Sequence, residues 1–360
     1  MATLTETAVG AKKVFLFGLV AVVAFLLLQV GLFFFNTYLK VVKPAPTPPP
    51  TVAFGKLTKI AWPQKLNPEI TLRLETTTGG TPDLGDRAEV YLMPTFRSNF
   101  LALDQAKLTA KKMSFTDQPK EITDRRYRWE TEEFLPSILE MDIINGSFSL
   151  KRNWQTDPTI LSEKQLPGKE QTIIEVKNFL RQVGLLSSEL ENARIEISYL
   201  TFSSGQYQKA VSLSEADFVQ ADVFRPDINN HAVFPPNPQK GIISIIFSGS
   251  RETAKQIIQV DYNYFPVNFD QSATYPIKSA SQAWRELQTK QGFIASVGSS
   301  SEVVAIRRIY LAYYDSETPN GFLMPIIVFE GDSGFYGYVP AITNEWLTDS
   351  PNGDSQTSNQ

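Results

Sequence analysis

Cysteine is absent from the 360-residue chain, and histidine occurs once, as His231. The absence of cysteine excludes disulfides, thiolate metal sites, a cysteine nucleophile and a lipid-modified cysteine anchor. One histidine cannot form a histidine metal site by itself. A serine nucleophile needs a positioned base, and the only imidazole lies in a proline-rich stretch, Asp222–Lys240, that reads as a loop.

The chain also lacks an excess of basic residues. Its 34 Lys and Arg residues are outnumbered by 38 Asp and Glu residues, which gives a formal net charge of -4. Nucleic-acid-binding proteins generally carry a basic patch or stripe, so this balance argues against a nucleic-acid partner. Hydrophobic residues make up 42% of the chain and aromatic residues 12%, which is enough to bury a core.

One stretch is uncharged from end to end: Val14 to Phe35, VFLFGLVAVVAFLLLQVGLFFF. A helix of this length spans about 33 Å, enough to cross the hydrocarbon core of a membrane. A cleaved signal peptide would have a shorter apolar region and a small-residue cleavage site. The run instead continues through Phe33–Phe35 without an A-x-A pattern. The sequence therefore favours an uncleaved signal anchor, with a cleaved signal peptide as the alternative.

The flanks of this stretch bear on its orientation in the membrane. Lys12 and Lys13 precede it and Lys40 and Lys43 follow it, so the positive charges are balanced. Long domains are translocated largely regardless of charge. We therefore predict a cytoplasmic lead (1–13), a transmembrane helix (14–35), a Pro-rich stalk (36–50) and a large domain outside the cytoplasm.

Three later segments have helical periodicity. They lie near Leu101–Met113, at Lys169–Val183 with Gly184 as a C-terminal cap, and from Ser279 to Lys290. Ser279 and Gln282 match a capping box, and Gly292 follows the last of these segments. Each helical segment is followed by stretches in which apolar and polar residues alternate, as they do in strands.

The strand signals are local. Leu139–Leu150 alternates on both sides of Asn145-Gly146, which predicts a hairpin with a type I′ turn. Val303–Tyr314, Gly321–Glu330 and Phe335–Ile342 predict an antiparallel meander, in which Pro325 indicates a bulge or an edge. Further strands are predicted at Ile70–Leu74, Ala88–Met93, Arg194–Thr201, Ile242–Phe247 and Gln256–Tyr264.

Segregated helices and antiparallel strands indicate the α+β class. The predicted architecture is a single N-terminal transmembrane helix followed by antiparallel sheets, each packed with a helix, in two related domains. We place the first α+β domain at 51–166, the second at 167–345 and a disordered tail at 346–360.

Several motifs match parts of known functional sites. Gly331-Asp-Ser-Gly334 matches the segment around the nucleophile of trypsin-like proteases, but its turn-forming residues indicate a hairpin turn. Glu132-Glu133 and the pair Glu330 and Asp332 would need a cleft between two carboxyls to act as glycosidase acids. The aromatic clusters Tyr262–Phe265 and Tyr310–Tyr314 lie at strand positions, where packing favours them. We therefore predict no catalytic, cofactor-binding or metal-binding residue and no cofactor.

Four segments in the last hundred residues form an ordered set: Tyr275-Pro-Ile-Lys-Ser-Ala-Ser-Gln-Ala-Trp284, Ile309-Tyr-Leu-Ala-Tyr-Tyr314, Pro325-Ile-Ile-Val-Phe-Glu-Gly331 and Tyr338-Val-Pro-Ala341. The set resembles the extracytoplasmic domains of the YycH/YycI type and, more loosely, PepSY modules. Proteins of the YycH/YycI type are membrane-anchored regulators of a cell-wall sensor kinase. The resemblance covers less than a third of the chain, and the Pro-rich stalk departs from it. It implies a non-enzymatic domain that acts through protein contacts outside the membrane.

Three functional hypotheses remain open. The first is a membrane-anchored regulatory domain that binds an envelope protein or peptide, with a sheet edge near Pro325 as one candidate surface. The second is a carboxylate-dependent envelope hydrolase acting on glycan or peptide, which requires two facing acids, one with a raised pKa. The third is a small-ligand receptor, which requires a large apolar pocket.

Overall fold

The N-terminal helix α1 (Leu4–Val42) contains the apolar stretch. A computed structural model describes residues 4–42, 48–63, 68–299 and 302–349, in two compact units, Met1–Pro49 and Pro50–Gln360. Within those ranges α1 is the one helix long and apolar enough to cross a membrane, with a 24-residue span from Phe15 to Tyr38 and a mean hydropathy of 2.6. The helix also includes residues 4–13 and 36–42, which the sequence analysis assigned to the lead and the stalk. Residues 43–47 of the predicted stalk lie outside the described ranges.

The second unit is built from the remaining elements, in the α+β class that the sequence predicts. Its helices are α2 (Ala102–Lys112), α3 (Thr159–Ser162), α4 (Lys169–Val183), α5 (Ser188–Glu191), α6 (Thr253–Gln256) and α7 (Ala280–Gln288). Its strands are β1 (Leu57–Thr58), β2 (Thr71–Leu74), β3 (Arg87–Leu92), β4 (Lys120–Glu121), β5 (Arg126–Thr131), β6 (Ser137–Asp142), β7 (Phe148–Arg152), β8 (Arg194–Ser203), β9 (Gln206–Lys209), β10 (Phe218–Phe224), β11 (Val233–Phe234), β12 (Ile243–Ser248), β13 (Ile257–Tyr262), β14 (Asn268–Pro276), β15 (Phe293–Val297), β16 (Val303–Tyr314), β17 (Phe322–Gly331), β18 (Phe335–Pro340) and β19 (Leu347–Thr348).

A nine-stranded antiparallel sheet has the order β4-β5-β6-β7-β13-β12-β10-β8-β9. Helices α2 and α4 cover one face and bury Ala106, Ala110, Val176 and Leu180 against it. Residue 166, where the sequence analysis divides two domains, lies between strands of this one sheet, because β7 pairs with β13.

The second sheet has eight strands, in the order β11-β16-β17-β18-β15, with β2 paired to β16 and β3 paired to β14 and β17. Helix α7 packs on it through Ala280, Ala283 and Leu287. The meander β16-β17-β18 is antiparallel, whereas β2 and β11 each pair with β16 in parallel. Leu347 and Thr348 pair in parallel with Leu57 and Thr58, so the predicted disorder from 346 is wrong for these residues; 350–360 lie outside the described ranges.

The capping signals agree with the structure at two helices. Helix α4 has the predicted bounds, and Gly184 adopts the left-handed conformation at φ +80°. The Ser279 hydroxyl accepts a hydrogen bond from the Gln282 backbone N–H at 3.2 Å. At the end of α7, however, the left-handed residue is Lys290, at φ +61°, rather than Gly292.

The predicted hairpin of β6 and β7 is present, but its turn type differs from the prediction. Leu139 faces Leu150 and Met141 faces Phe148, as the alternation indicates. Only Gly146 has positive φ, and its N–H donates to the Asp142 carbonyl at 2.9 Å, so the turn is longer than a two-residue type I′ turn.

Pro325 lies in a central strand rather than at an edge or a bulge, because β17 is paired on both sides. The Pro325 carbonyl accepts from the Ala341 N–H at 3.0 Å. The reciprocal acceptor, the Ala341 carbonyl, instead receives the Lys278 N–H at 2.8 Å. The proline is therefore tolerated where β18 ends, since no ladder partner is left unsatisfied.

The two sheets are joined by a buried cluster of charges. The Arg225 guanidinium follows β10 and is fully buried; it donates to the Asp315 carboxylate, which follows β16, at 2.9 Å. It also donates to Glu189 of α5 at 2.6 Å and to the Phe265 carbonyl at 2.7 Å. The Tyr264 hydroxyl donates to the same glutamate at 2.7 Å. Every charged group of the cluster therefore has a partner.

Replacing Asp315 with Asn should lower the free energy of unfolding by about 3–5 kcal/mol, because a buried guanidinium then loses one of its two counter-charges. Asp349→Asn is the matched control, since Asp349 pairs with Lys59 at an exposed position and should contribute little. Urea unfolding of the full chain in one fixed detergent measures both. Equal stability of the two variants would contradict a structural role for the cluster.

Candidate binding groove

A polar groove of about 790 Å³ opens between the two sheets. One wall consists of turns at one end of the nine-stranded sheet, and the other of loops from the second sheet. Its lining residues are Pro94, Thr95, Phe96, Thr123, Arg125, Arg126, Asp142, Asn145, Ser147, Asn263, Glu317, Thr318, Pro319 and Gly321. Both the β6–β7 turn and the β16–β17 turn that the sequence predicts thus become walls of one concave site.

The first wall is held rigid by Asp142. Its carboxylate accepts the backbone N–H of Ile144 at 2.9 Å and of Asn145 at 3.1 Å. The Arg125 guanidinium donates to the same carboxylate at 2.8 Å. These bonds fix the hairpin turn and neutralise Arg125, so this arginine is already engaged.

Arg126, the next residue, has a free guanidinium. Its backbone N–H donates to the Thr123 hydroxyl at 3.1 Å, but its exposed side chain has no hydrogen bond or ion pair within the part of the chain that the structure describes. It lines both the groove and an adjoining depression of about 170 Å³. A planar guanidinium in this position can bind a carboxylate through two hydrogen bonds.

The second wall carries apolar and acidic groups. Phe96 contacts Phe265 edge to face, with ring centroids 5.7 Å apart, which fixes the loop after β3. Pro319 and Gly321 belong to the β16–β17 turn, and Glu317 offers an exposed carboxylate beside them. The groove therefore combines a free cation, an anion and an aromatic surface.

A row of polar residues crosses the nine-stranded sheet. Directly opposed positions on eight consecutive strands are Lys120, Arg128, Glu140, Ser149, Asp261, Ser244, Asp222 and Glu196. Because opposed residues share one face of a sheet, the row lies on the face away from α2 and α4. It contains a carboxylate pair, Asp222 and Asp261, separated by one strand and thus by roughly 10 Å.

The two aspartates differ in their electrostatics. Burial raises the pKa of Asp222, in spite of hydrogen bonds from the Gly241 N–H at 3.1 Å and from the Gln220 amide at 2.7 Å. Burial opposes ionisation of Asp261 as well, but the Lys240 ammonium at 3.0 Å and hydrogen bonds from Ser149 and Gln259 together outweigh it and lower the pKa of Asp261.

This pair resembles the acids that the hydrolase hypothesis requires, but a ligand in the depression could reach only one of the two carboxylates. Asp261 lines the 170 Å³ depression, whereas Asp222 does not. Asp222 is 4% exposed, and the backbone of Gly241 covers it. A substrate in the depression would not reach the carboxyl with the raised pKa, so the pair is better explained as a buried structural feature.

The motifs weighed in the sequence do not assemble into a site. Asp332 binds Arg307 at 2.7 Å, and Ser333 occupies a tight turn at φ +58°. His231 packs against Tyr313, with ring centroids 6.2 Å apart. Glu330 accepts the Tyr310 hydroxyl at 3.0 Å. Among the described residues no group of three His, Asp or Glu side chains is arranged to hold a metal ion.

The aromatic clusters lie in the cores. Tyr262, Tyr264, Tyr313 and Tyr314 are buried, and Tyr310 is half-buried. Burial raises the pKa of Tyr264 to about 12. These rings pack the sheets together and do not form an exposed stacking surface.

Comparison with known proteins gives little more. No protein-family model and no curated protein matches the chain. Among solved structures, the chain is similar to an uncharacterised protein from Eubacterium rectale, with 13% identity, a TM-score of 0.34, and coverage of 77% of this chain and 90% of that one. So low a TM-score supports no inference about fold or function. The resemblance to the YycH/YycI type therefore stays a prediction.

Asp222 and Asp261 should have opposite effects on how the free energy of unfolding depends on pH. Because the pKa of Asp222 is raised above 3.8, the folded state holds the proton more tightly, and its contribution to stability is lost as the pH rises through the raised value. Asp261 contributes stability above pH 3.8 that is lost as the pH falls through its lowered pKa. Asp222→Asn should remove the first dependence and Asp261→Asn the second, as measured by urea unfolding between about pH 3 and about pH 7. The same pH profile for both variants would contradict the assignment.

Proposed function

We propose that this chain is a membrane-anchored, extracytoplasmic binding or regulatory protein of the cell envelope that captures an extended, acidic peptide segment of a partner protein in the groove. The observation that carries the proposal is the free Arg126 guanidinium in a large groove between rigid turns. On this proposal the protein is not a catalyst.

The chemistry of the groove favours a peptide over a small molecule. The groove is large and polar, whereas small-molecule pockets are mostly apolar. Arginine and aromatic residues are enriched at protein interfaces, and Arg126 and Phe96 lie on opposite walls. A carboxylate of the peptide would bind Arg126, and its backbone would lie along the turn of Thr318 and Pro319.

The anchor supports the location. Helix α1 is consistent with a transmembrane segment, and the balanced flanking lysines with a long following domain favour translocation of that domain. The envelope hydrolase remains the alternative function, and it would require a movement that exposes Asp222.

The lack of cysteine permits a direct test of topology. A single substitution, Lys209→Cys, on exposed strand β9 should react with a membrane-impermeant maleimide in intact cells, because we place this domain outside. Thr5→Cys should react only after the membrane is permeabilised. The reverse pattern of labelling would place the domain in the cytoplasm and overturn the proposed location.

Arg126→Glu should abolish partner capture, because it replaces attraction for a carboxylate with repulsion. A loss of about tenfold or more is expected for one charge-assisted contact. The control is Lys209→Glu, which makes the same charge change on β9, at the opposite edge of the sheet. Affinity purification from detergent-solubilised membranes, quantified by mass spectrometry, measures the proteins recovered.

The expected result is a partner that is retained by the wild type and by the control but lost from Arg126→Glu. Recovery of the same proteins by all three chains, or of none by the wild type, would reject the groove as the binding site. Thermal unfolding of each chain identifies any variant whose loss of binding comes from unfolding.

A further inference from the structure

Arg152, at the end of β7, is half-buried, and its partners differ from those of the buried cations. Arg225 binds two carboxylates, and Lys278 binds Glu286 at 2.8 Å. Arg152 has no carboxylate within ion-pairing distance in the described ranges. One of its terminal nitrogens donates to the Ala254 carbonyl, and its buried Nε has no partner.

The same arginine lines a second cavity, of about 350 Å³. The cavity lies between α4 and the face of the nine-stranded sheet that the helices cover. It shares no lining residue with the polar groove. Its lining is mixed. The apolar part comes from both layers: Met113, Leu150, Phe179, Phe247 and Ile257. The polar part includes Lys112, Ser114, Asn178, Gln182, Thr253 and Gln256. A cavity of this size, with aromatic and aliphatic residues beside a few polar groups, is typical of a small-molecule site.

Phe134 also lines this cavity and is strained. Its φ is +63°, in the left-handed region that a bulky aromatic residue rarely adopts, and its side chain is 54% exposed. Such strain concentrates at ligand clamps and other functional positions. The half-exposed ring covers part of the apolar lining without being buried in the core.

The cavity contains an acidic residue, but that residue does not neutralise Arg152. The Glu175 carboxylate accepts the Gln171 amide of the same helix at 2.5 Å and forms no ion pair with the arginine. Burial lowers the pKa of the Arg152 guanidinium. A half-buried charge without a counter-charge is partly desolvated, and an anion bound in the cavity would offset that cost.

We propose that this cavity binds a small amphiphile, namely a carboxylate carried on an apolar chain or ring, with the carboxylate on Arg152 and the apolar part against Phe179, Phe247 and Phe134. The site is separate from the groove and does not rest on the function proposed for it. Lys112 also lines the cavity, but its ammonium donates to the Val183 carbonyl at 3.1 Å. Arg152 is therefore the cation left to bind one anionic group.

The test uses the full chain in lipid nanodiscs and isothermal titration calorimetry, with empty nanodiscs as the blank. The probes are phenylbutyrate and octanoate, each compared with its uncharged primary amide. Both carboxylates should bind with a Kd below about 1 mM. Arg152→Gln should weaken them about tenfold to a hundredfold, since it removes a charge-assisted contact. A preference between the probes would identify the apolar part and would still support the site.

Arg308→Gln, on the exposed side of β16, is the control and should bind as the wild type does. A second readout separates binding from a structural role. Without ligand, Arg152→Gln should unfold at the same temperature as the wild type or higher, because it removes a partly desolvated charge that has no ion pair in the described residues. Equal affinity of Arg152→Gln for the carboxylates, equal affinity of the amides, or no saturable binding to the wild type would overturn the proposal.

Discussion

The ion cluster around Arg225 is the interaction on which the second unit depends. The guanidinium extends from the end of a strand in one sheet, Asp315 from the end of a strand in the other, and Glu189 from a short helix. In the low-dielectric interior each charge is tolerable only because its hydrogen bonds are satisfied, which restricts the sheets to one relative arrangement. The apolar cores pack each sheet with its own helices, but the cluster determines how the strand ends meet.

The geometry of the groove follows from that arrangement. Phe265, whose carbonyl accepts from Arg225, contacts Phe96 on the second wall. Glu317 comes two residues after Asp315, so the position of the acidic wall is set by the same cluster. Opposite it, Asp142 binds Arg125 and leaves Arg126 free. Each wall is thus held by its own satisfied network, the Arg225 cluster at the second wall and the Asp142 contacts at the first. The Arg126 guanidinium is left to face solvent.

Local elements could be predicted from the sequence, and distant pairings could not. The bounds of α4, the cap at Ser279 and the facing pairs of the β6–β7 hairpin depend on neighbouring residues, which a periodic pattern contains. The pairing of β7 with β13, and the parallel pairing of β2 with β16, join residues far apart in the chain and leave no local signal. Pro325 shows the limit of prediction from local patterns. The central strand tolerates this proline because the Ala341 carbonyl accepts the N–H of Lys278, which is distant in the sequence.

Three arginines show why the groove and the cavity could not be predicted from the sequence. Arg125, Arg126 and Arg152 are chemically identical in the sequence, and no spacing distinguishes them. In the fold the first is neutralised by Asp142 and the second faces an open groove. The third is half-buried and has no ion pair among the residues that the structure describes. A partly desolvated cation without a counter-charge costs stability. On the proposal made above, an anionic ligand in the cavity supplies that counter-charge, so the cost to folding would be offset on binding.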